Sequence, residues 1–462
     1  MKYRHFLRLI VLSLALLLPA IVFAQTAPSQ PPAPAPPPHG MLAERGQSML
    51  GLVAFTVLAF LIGRARGARR IPWRIIVWGT ILQFAFGAIV LFSPKVLETV
   101  QRAIQKLLDF TLAGVQLIFG SLAGNTVNVV DPSGHPIGVA QIGMIFAVVV
   151  LPTIIFVAML TAILYHTGIM TAVVHALAWV MQKSMGTSGA ETLSTAANIF
   201  VGQTEAPLLV KPFLSAATNS EMMAIMVGGF ANIASGVLVV YTDFLKAYIA
   251  NVGGHLAAAC FISAPATLVV SKLMMPETTT PVTSGGVKFK VERIDANLID
   301  AATRGTTEGT ALAINVGAML IAFTALVAML NAIFVKFTAH TMEQLLGYAM
   351  SPLAWLTGVK WHEARTVGSL LGVKTVLNEF IAYLQMSQGF AKDANYLSPR
   401  SALLAAYALC GFANFASVGI QIGGISTMAP DRRHDLSRLG LLAMAGGAIA
   451  SLMGACVVGV LW

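Results

Sequence analysis

Charged side chains are scarce in this 462-residue chain: Asp, Glu, Lys and Arg make up 10% of it, where soluble domains carry about 25%. With 56% of the residues hydrophobic, that shortage excludes a soluble fold around a single core. Cysteine is rarer still. Cys260, Cys410 and Cys456 all lie in apolar segments without metal-ligand spacing, so no disulfide framework is implied. Catalytic signatures are missing too. His362-Glu363 starts like a zinc-protease motif, but Thr366 stands where the second histidine belongs. No phosphate-cradling Gly-Lys-Ser/Thr loop and no G-x-S-x-G nucleophile elbow occurs. The chain is therefore not expected to be an enzyme. The net charge of +10 could suggest a nucleic acid polymer as partner, but the 29 Lys and Arg are spread through short loops and form no basic face, so none is expected and the excess reads as topology information.

What the chain does have is apolar length. Stretches of about 18 residues or more recur from end to end, each long enough to cross the hydrocarbon layer as a helix. The expectation is an all-α polytopic membrane protein with the lipid bilayer as its medium. Eight spans are predicted, at about 47–63, 71–92, 139–165, 221–242, 255–276, 303–335, 402–428 and 439–461. The stretch 95–107, with Lys95, Glu98, Arg102 and Lys106 between apolar residues, is better placed along the interface. Residues 1–24 read as a signal peptide, with an uncleaved anchor as the alternative, and 25–45 as a Pro-rich periplasmic linker. Arg64, Arg66, Arg69 and Arg70 put the end of the first span in the cytoplasm. Walking on from there, the loop 277–302, with Lys288, Lys290 and Arg293, and the segment Asp431 to Arg438 are cytoplasmic as well. A multi-pass protein of a bacterial inner membrane is expected.

Two further apolar segments, 186–216 and 362–390, are interrupted by glycine, proline or charge, and neither half is long enough to span. They are predicted to be re-entrant hairpins, one from each side. Each is followed by a copy of one heptad: Gly229-Phe230-Ala231-Asn232-Ile233-Ala234-Ser235 recurs as Gly411-Phe412-Ala413-Asn414-Phe415-Ala416-Ser417, with six identities in seven. Each hairpin carries an intramembrane carboxylate, Glu205 or Glu379. The copies fall in spans of opposite direction, which predicts an inverted repeat. That is the architecture of secondary transporters, with a binding site near the midplane where the repeats meet.

In the first hairpin, Gly202 lets the backbone turn and Pro207 restarts a helix, exposing Gln203, Thr204 and Glu205. Gln203 offers donors and an acceptor, which suits an amide-like heterocycle edge. A carboxylate at that depth is costly unless it faces a cavity or a partner, so Glu205 is a site candidate, with an ion pair to Lys211 as the structural alternative. The second hairpin holds Gly372, Lys374, Thr375, Asn378 and Glu379. Glu379 and Asn378 are expected to share a central cavity with Glu205, whereas Lys374 is expected to snorkel to the interface. Asn232 and Asn414 are either buried amides or ligands of substrate and ion. Ser417 lies on nearly the same helix face as Asn414. Phe412 and Val237 read as packing unless the motif raises them.

These residues resemble a known family, the concentrative nucleoside transporters. The match runs through Gly186 to Glu191, Asn198 through Pro207 (NIFVGQTEAP), Ser263-Ala264-Pro265-Ala266, Lys374-Thr375 with Asn378-Glu379-Phe380, and Gly411 to Asn414; Ile71 to Arg74 looks like the family's N-terminal region. It covers roughly residues 45–462.

The resemblance implies a homotrimer in which a transport domain moves, elevator-like, against a scaffold and imports nucleosides by cation symport. On that pattern 46–138 would be scaffold and interfacial helices, 139–276 the first repeat and 303–462 the second. Gln203, Thr204 and Val237 would contact the base, with Phe412 nearby. Glu379, Asn414 and Ser417 would hold the ribose hydroxyls, and Glu205 would support the pocket. Asn198, the Val201 carbonyl, Asn232 and the Ile233 carbonyl would bind sodium. One position departs: sodium-coupled members carry a hydroxyl residue where Asn232 stands. Na+ is the favoured coupling ion and a proton its competitor. Gly202, where some pyrimidine-selective relatives have serine, leaves room for purines beside pyrimidine nucleosides. A passive nucleoside channel and a membrane enzyme are the competing classes.

Overall fold

A computed structural model describes residues 41–67, 71–124, 126–142, 145–284 and 295–462. The leader, all but the end of the linker, Arg69, Arg70 and the Lys288, Lys290 and Arg293 of the loop lie outside the described residues. In chain order the helices are α1 (Leu42–Ala65), α2 (Trp73–Leu91), α3 (Pro94–Phe119), α4 (Leu151–His166), α5 (Ile169–Met185), α6 (Gly189–Ala197), α7 (Asn219–Ala231), α8 (Ser235–Leu245), α9 (Val252–Met274) and α10 (Leu298–Thr338). Then follow α11 (Met342–Leu356), α12 (Trp361–Val376), α13 (Glu379–Lys392), α14 (Pro399–Leu409), α15 (Phe415–Met428) and α16 (Arg433–Leu461). Short helical turns Gly120–Ala123, Phe146–Val149, Ala206–Val210, Lys211–Leu214 and Pro430–Arg432 complete the helical pattern.

Among the described residues, eight segments are long and apolar enough to cross a membrane, the number expected, but the set differs in two places. Pro94–Ala123 is one of them, because α3 continues past the amphipathic 95–107 stretch into the apolar run that ends at Phe119. Its Gln101 accepts the Gly253 N–H at 2.8 Å, which ties α3 to the start of α9. The expected span 402–428 is not one helix but two, α14 and α15, parted at Cys410–Asn414. The span 221–242 is likewise parted, into α7 and α8, at Asn232 to Ala234.

The fourth segment starts late. Residues 136–141, the first part of which preceded the expected span 139–165 and the rest of which it included, form a strand β2 (Pro136–Gln141) paired antiparallel with β1 (Thr126–Val130). Asp131 makes the turn, its Oδ1 accepting the N–H groups of Ser133 at 2.8 Å and His135 at 2.9 Å. The His135 N–H, ahead of the Ser133 N–H, holds its carboxyl below the usual carboxylate range.

Both breaks carry the repeated heptad, and they touch. Gly411 has φ +148°, and a Cβ there would meet the Phe230 carbonyl oxygen at 2.8 Å and that of Ala231 at 3.0 Å, so only glycine fits. The Phe412 N–H donates to the Asn232 carbonyl at 3.3 Å. Ser451 of α16 donates to the Cys410 carbonyl at 2.9 Å, relieving one of the groups that the broken helix exposes.

Around this crossing α7, α9 and α16 are buried along most of their length. By contrast, α10 buries only Ala301, Gly305, Gly309, Ala313 and Val327. Four of these recur every fourth residue and form a small-residue stripe on which α4 packs closely, through Ile155, Ala158, Met159 and Ala162. Beyond the polar turns around Arg304 and Glu308, α10 exposes Leu312, Ile314, Ile321, Met329 and Phe337, as a surface facing acyl chains or another protomer does.

Candidate functional site

The first interrupted segment starts from a capping box: Ser188 precedes α6 and its N–H donates to Glu191 Oε1 at 2.8 Å. The helix ends at Ala197, and the chain passes through Asn198 to Glu205 before it turns helical again at Ala206. The Ser235 N–H donates to the Phe200 carbonyl at 3.3 Å, so the tip is pinned to the α7/α8 break. Within the tip Gln203 is buried, Thr204 half-buried and Glu205 exposed.

The tip lies against one face of α15. Gln203 Nε2 donates to Ser417 Oγ at 3.3 Å. One turn on, Gln421 Nε2 donates to Gln203 Oε1 at 3.2 Å. At the next turn Thr204 covers Gly424, where a Cβ would stand 2.6 Å from its methyl. Gln421 was not anticipated. The available signal was a glutamine inside the apolar run Val418 to Ile425, one turn beyond Ser417.

Further along the chain, two helices begin near the point where the two heptad copies meet. Asn378 caps α13, its Oδ1 accepting the Ile381 N–H at 2.9 Å, and Asn414 caps α15, its Oδ1 accepting the Ser417 N–H at 2.8 Å. Glu379 is the first residue of α13 and is buried. Its carboxylate accepts from Tyr241 Oη at 2.9 Å and from Asn414 Nδ2 at 3.0 Å. An anion is well placed there, because a helix N-terminus carries a partial positive charge. Tyr241, a residue the sequence reading passed over, stacks on Tyr383 with ring centroids 4.3 Å apart. Val237 is buried in the first turn of α8, and Phe412 is half-buried at the α14/α15 break.

Gln203, Ser417, Asn414 and Glu379 are thus joined in one hydrogen-bonded chain. Asn378 spends its oxygen on the cap. Glu205 bonds within the tip, to Thr204, and has Tyr165 and Glu308 as ionisable neighbours. Among the described residues no ion pair joins it to Lys211.

The four expected cation ligands sit at helix C-termini, where carbonyl ends carry partial negative charge. Asn198 follows α6 and Asn232 follows α7. Their Nδ2 atoms fold back to the carbonyls of Ser194 at 3.2 Å and Gly228 at 3.3 Å. Asn232 Oδ1 accepts from Ser263 Oγ, and the Ile233 carbonyl faces the Cys260 thiol at 4.0 Å. Val201 lies in the turn that follows Asn198. The hydroxyls of Ser194 and Thr195 are buried and have no hydrogen-bond partner among the described residues.

Lys374 corrects an expectation. It does not snorkel: it is buried, and its Nζ donates to the Ala408 carbonyl at 2.9 Å. The reason is the half-helix α14, whose last carbonyls have no next turn to accept from.

Comparison with known proteins places the chain. The family described as Na+ dependent nucleoside transporter N-terminus matches residues 50–122, the nucleoside recognition (Gate) family matches 147–248, and the Na+ dependent nucleoside transporter C-terminus matches 255–459. An uncharacterized transporter of Bacillus subtilis, YutK, is 39% identical over 89% of the chain and 98% of its own length. Mouse sodium/nucleoside cotransporter 1 is 36% identical over 90% of the chain, which spans 63% of that protein. The solved structure of CNTnw in an inward-facing substrate-bound state is similar with a TM-score of 0.79 at 38% identity, covering 90% of this chain and 98% of that one. A CNTnw variant in an outward-facing state gives a TM-score of 0.80 at 37% identity, covering 90% and 97%. The chain therefore belongs to the Na+ dependent, or concentrative, nucleoside transporter family, and is a membrane transporter rather than an enzyme.

Proposed function

We propose that this protein imports nucleosides across a bacterial inner membrane by cation symport, with sodium as the coupling ion. The observation that carries the reading is the chain from Gln203 through Ser417 and Asn414 to Glu379, which links a hairpin tip to two half-helix N-termini. A carboxylate, an amide and a hydroxyl in sequence can accept from and donate to a vicinal diol, the recognition element of a ribose. Glu379, Asn414 and Ser417 take that role. Gln203 and Thr204, with Val237 and Phe412, meet the base, and Glu205 supports the tip. Asn198, Asn232 and the carbonyls of Val201 and Ile233 take the cation, at helix ends of the matching polarity.

The packing supports the proposed movement. The tip is bonded to α15 and to the α7/α8 break, so hairpin and broken helices travel as one body. The exposed α10, with α1 and α2, is the scaffold and the trimer surface. The inverted repeat is supported by how the broken helices lie: α7, the half before one break, runs beside α15, the half after the other, with Met226 against Gln421.

A proton is the second reading, favoured by the amide at Asn232 where a hydroxyl residue is expected. Uptake of labelled uridine and adenosine into proteoliposomes, under an imposed sodium or proton gradient, decides between them. Accumulation above the external concentration with sodium inward supports the reading, and accumulation driven by protons alone replaces the ion. Equilibration without accumulation means a channel, and a chemically altered nucleoside inside means an enzyme.

A further inference from the structure

The chain of amides in the site has a direction, and the residue that sets it is Gln421. At one end stands the Met226 carbonyl, which can only accept; Gln421 donates to it at 3.1 Å, so the nitrogen of the Gln421 amide is identified by chemistry. The same nitrogen lies 3.2 Å from one terminal atom of Gln203, and that atom must then be Oε1. It follows that Gln203 turns Nε2 to Ser417 Oγ. At the other end the Glu379 carboxylate, where ionised, can only accept, and the Ser417 backbone N–H can only donate, so Asn414 has no freedom either. Each amide is oriented by a neighbour whose role is fixed, and no free choice remains in between.

Gln421 is built into place. It is fully buried, and Gly229 makes room for it: a Cβ at that position would lie 2.4 Å from Gln421 Nε2 and 2.9 Å from Gln203 Cβ. Its Oε1 has no hydrogen-bond partner among the described residues, so the two donor contacts alone determine how the amide sits.

We propose that Gln421 is a positioning residue for base specificity: it locks the Gln203 amide so that its donor faces Ser417 and its acceptor faces Gln421, one turn further along α15. A base must then offer an acceptor on the Ser417 side and a donor on the other. Uracil and cytosine present mirror-image donor and acceptor orders on the edge that distinguishes them, and a locked amide discriminates between them, whereas a freely turning one does not. This inference rests on the proposal that Gln203 reads the base.

The test is competition by uridine and cytidine against labelled adenosine uptake in proteoliposomes, with the ratio of half-inhibitory concentrations as readout. In Gln421→Glu the side chain, where ionised, accepts only, so Gln203 must turn over. The ratio is expected to move by about tenfold, the scale of a misplaced hydrogen bond, against whichever pyrimidine the wild type prefers. Gln421→Met keeps the length, frees Gln203 and is expected to bring the ratio towards one. In a Gln203→Ala background neither change is expected to shift the ratio further. If both single variants slow all substrates equally, or act as strongly without Gln203, Gln421 is merely structural and the proposal fails. Should the wild-type protein show no saturable nucleoside uptake, the failure belongs to the proposed function instead.

Discussion

The backbone N–H of Phe412 donates to the carbonyl of Asn232 at 3.3 Å, so the two copies of the repeated heptad meet at the points where their helices break. Each break frees backbone groups that a continuous helix would consume. The N-terminal ends of α13 and α15 surround Glu379, and the C-terminal ends of α6 and α7 carry the amides assigned to the cation. On the proposed assignment, substrate and ion groups are thereby sorted by helix polarity within one crossing.

Glu379 holds two donors, Tyr241 and Asn414. Glu379→Gln must turn an NH2 towards one of them, and uridine uptake is expected to fall by about tenfold or more. Uptake of 2′-deoxyuridine should fall less if, as proposed, the lost acceptor serves the ribose. Equal losses for the two substrates remove Glu379 from reading that hydroxyl.

Tyr241→Phe removes only the hydroxyl and leaves the stack on Tyr383 in place. The expected result is a several-fold rise in the half-saturating uridine concentration with an unchanged thermal midpoint in detergent. A lowered midpoint with normal affinity would show that the hydroxyl serves folding alone.

Asn232→Ala takes away an amide at the end of α7 without touching the Gln203-to-Glu379 chain. We expect the sodium concentration for half-maximal uptake to rise by about tenfold, while the order of competing nucleosides stays as it was. A sodium response identical to wild type contradicts the cation assignment.

Lys374→Met leaves the Ala408 carbonyl buried and without its donor. Loss of a charged hydrogen bond of this kind costs about 1–3 kcal/mol, read as a lowered unfolding midpoint of the purified protein. A midpoint at or above wild type means that the buried ammonium is no stabiliser.

Gly411→Ala is expected to be the most damaging small change. Its φ of +148° and the carbonyl oxygens of Phe230 and Ala231 leave no space for a methyl group. Strain of this type costs about 1–3 kcal/mol before the clash is counted. The check is the yield of monodisperse protein, with Gly454→Ala, where a Cβ meets its nearest neighbour at an ordinary 3.7 Å, as the tolerated control.

Much of the site was legible from the chain. The heptads, the carboxylates Glu205 and Glu379 and the tip NIFVGQTEAP are local patterns at membrane depth, where a polar residue is conspicuous because burial there is costly. Tyr241 and Gln421 escaped because a single polar residue inside an apolar helix looks like packing until its partner is known. Lys374 was misplaced for a related reason: a lysine stem suits an interface equally well, and only the unsatisfied end of α14 brings it inside.

Sequence alone determined the number of apolar segments, the repeated heptad and the residue types at the crossing, since length and composition decide what can reside in lipid. Tertiary structure decided that α14 and α15 are separate, which way each amide points and which carboxylate is enclosed. Those properties depend on contacts such as that of Gln203 with Gln421, 218 residues apart, and no local pattern encodes the orientation of one side chain against another so distant in the chain.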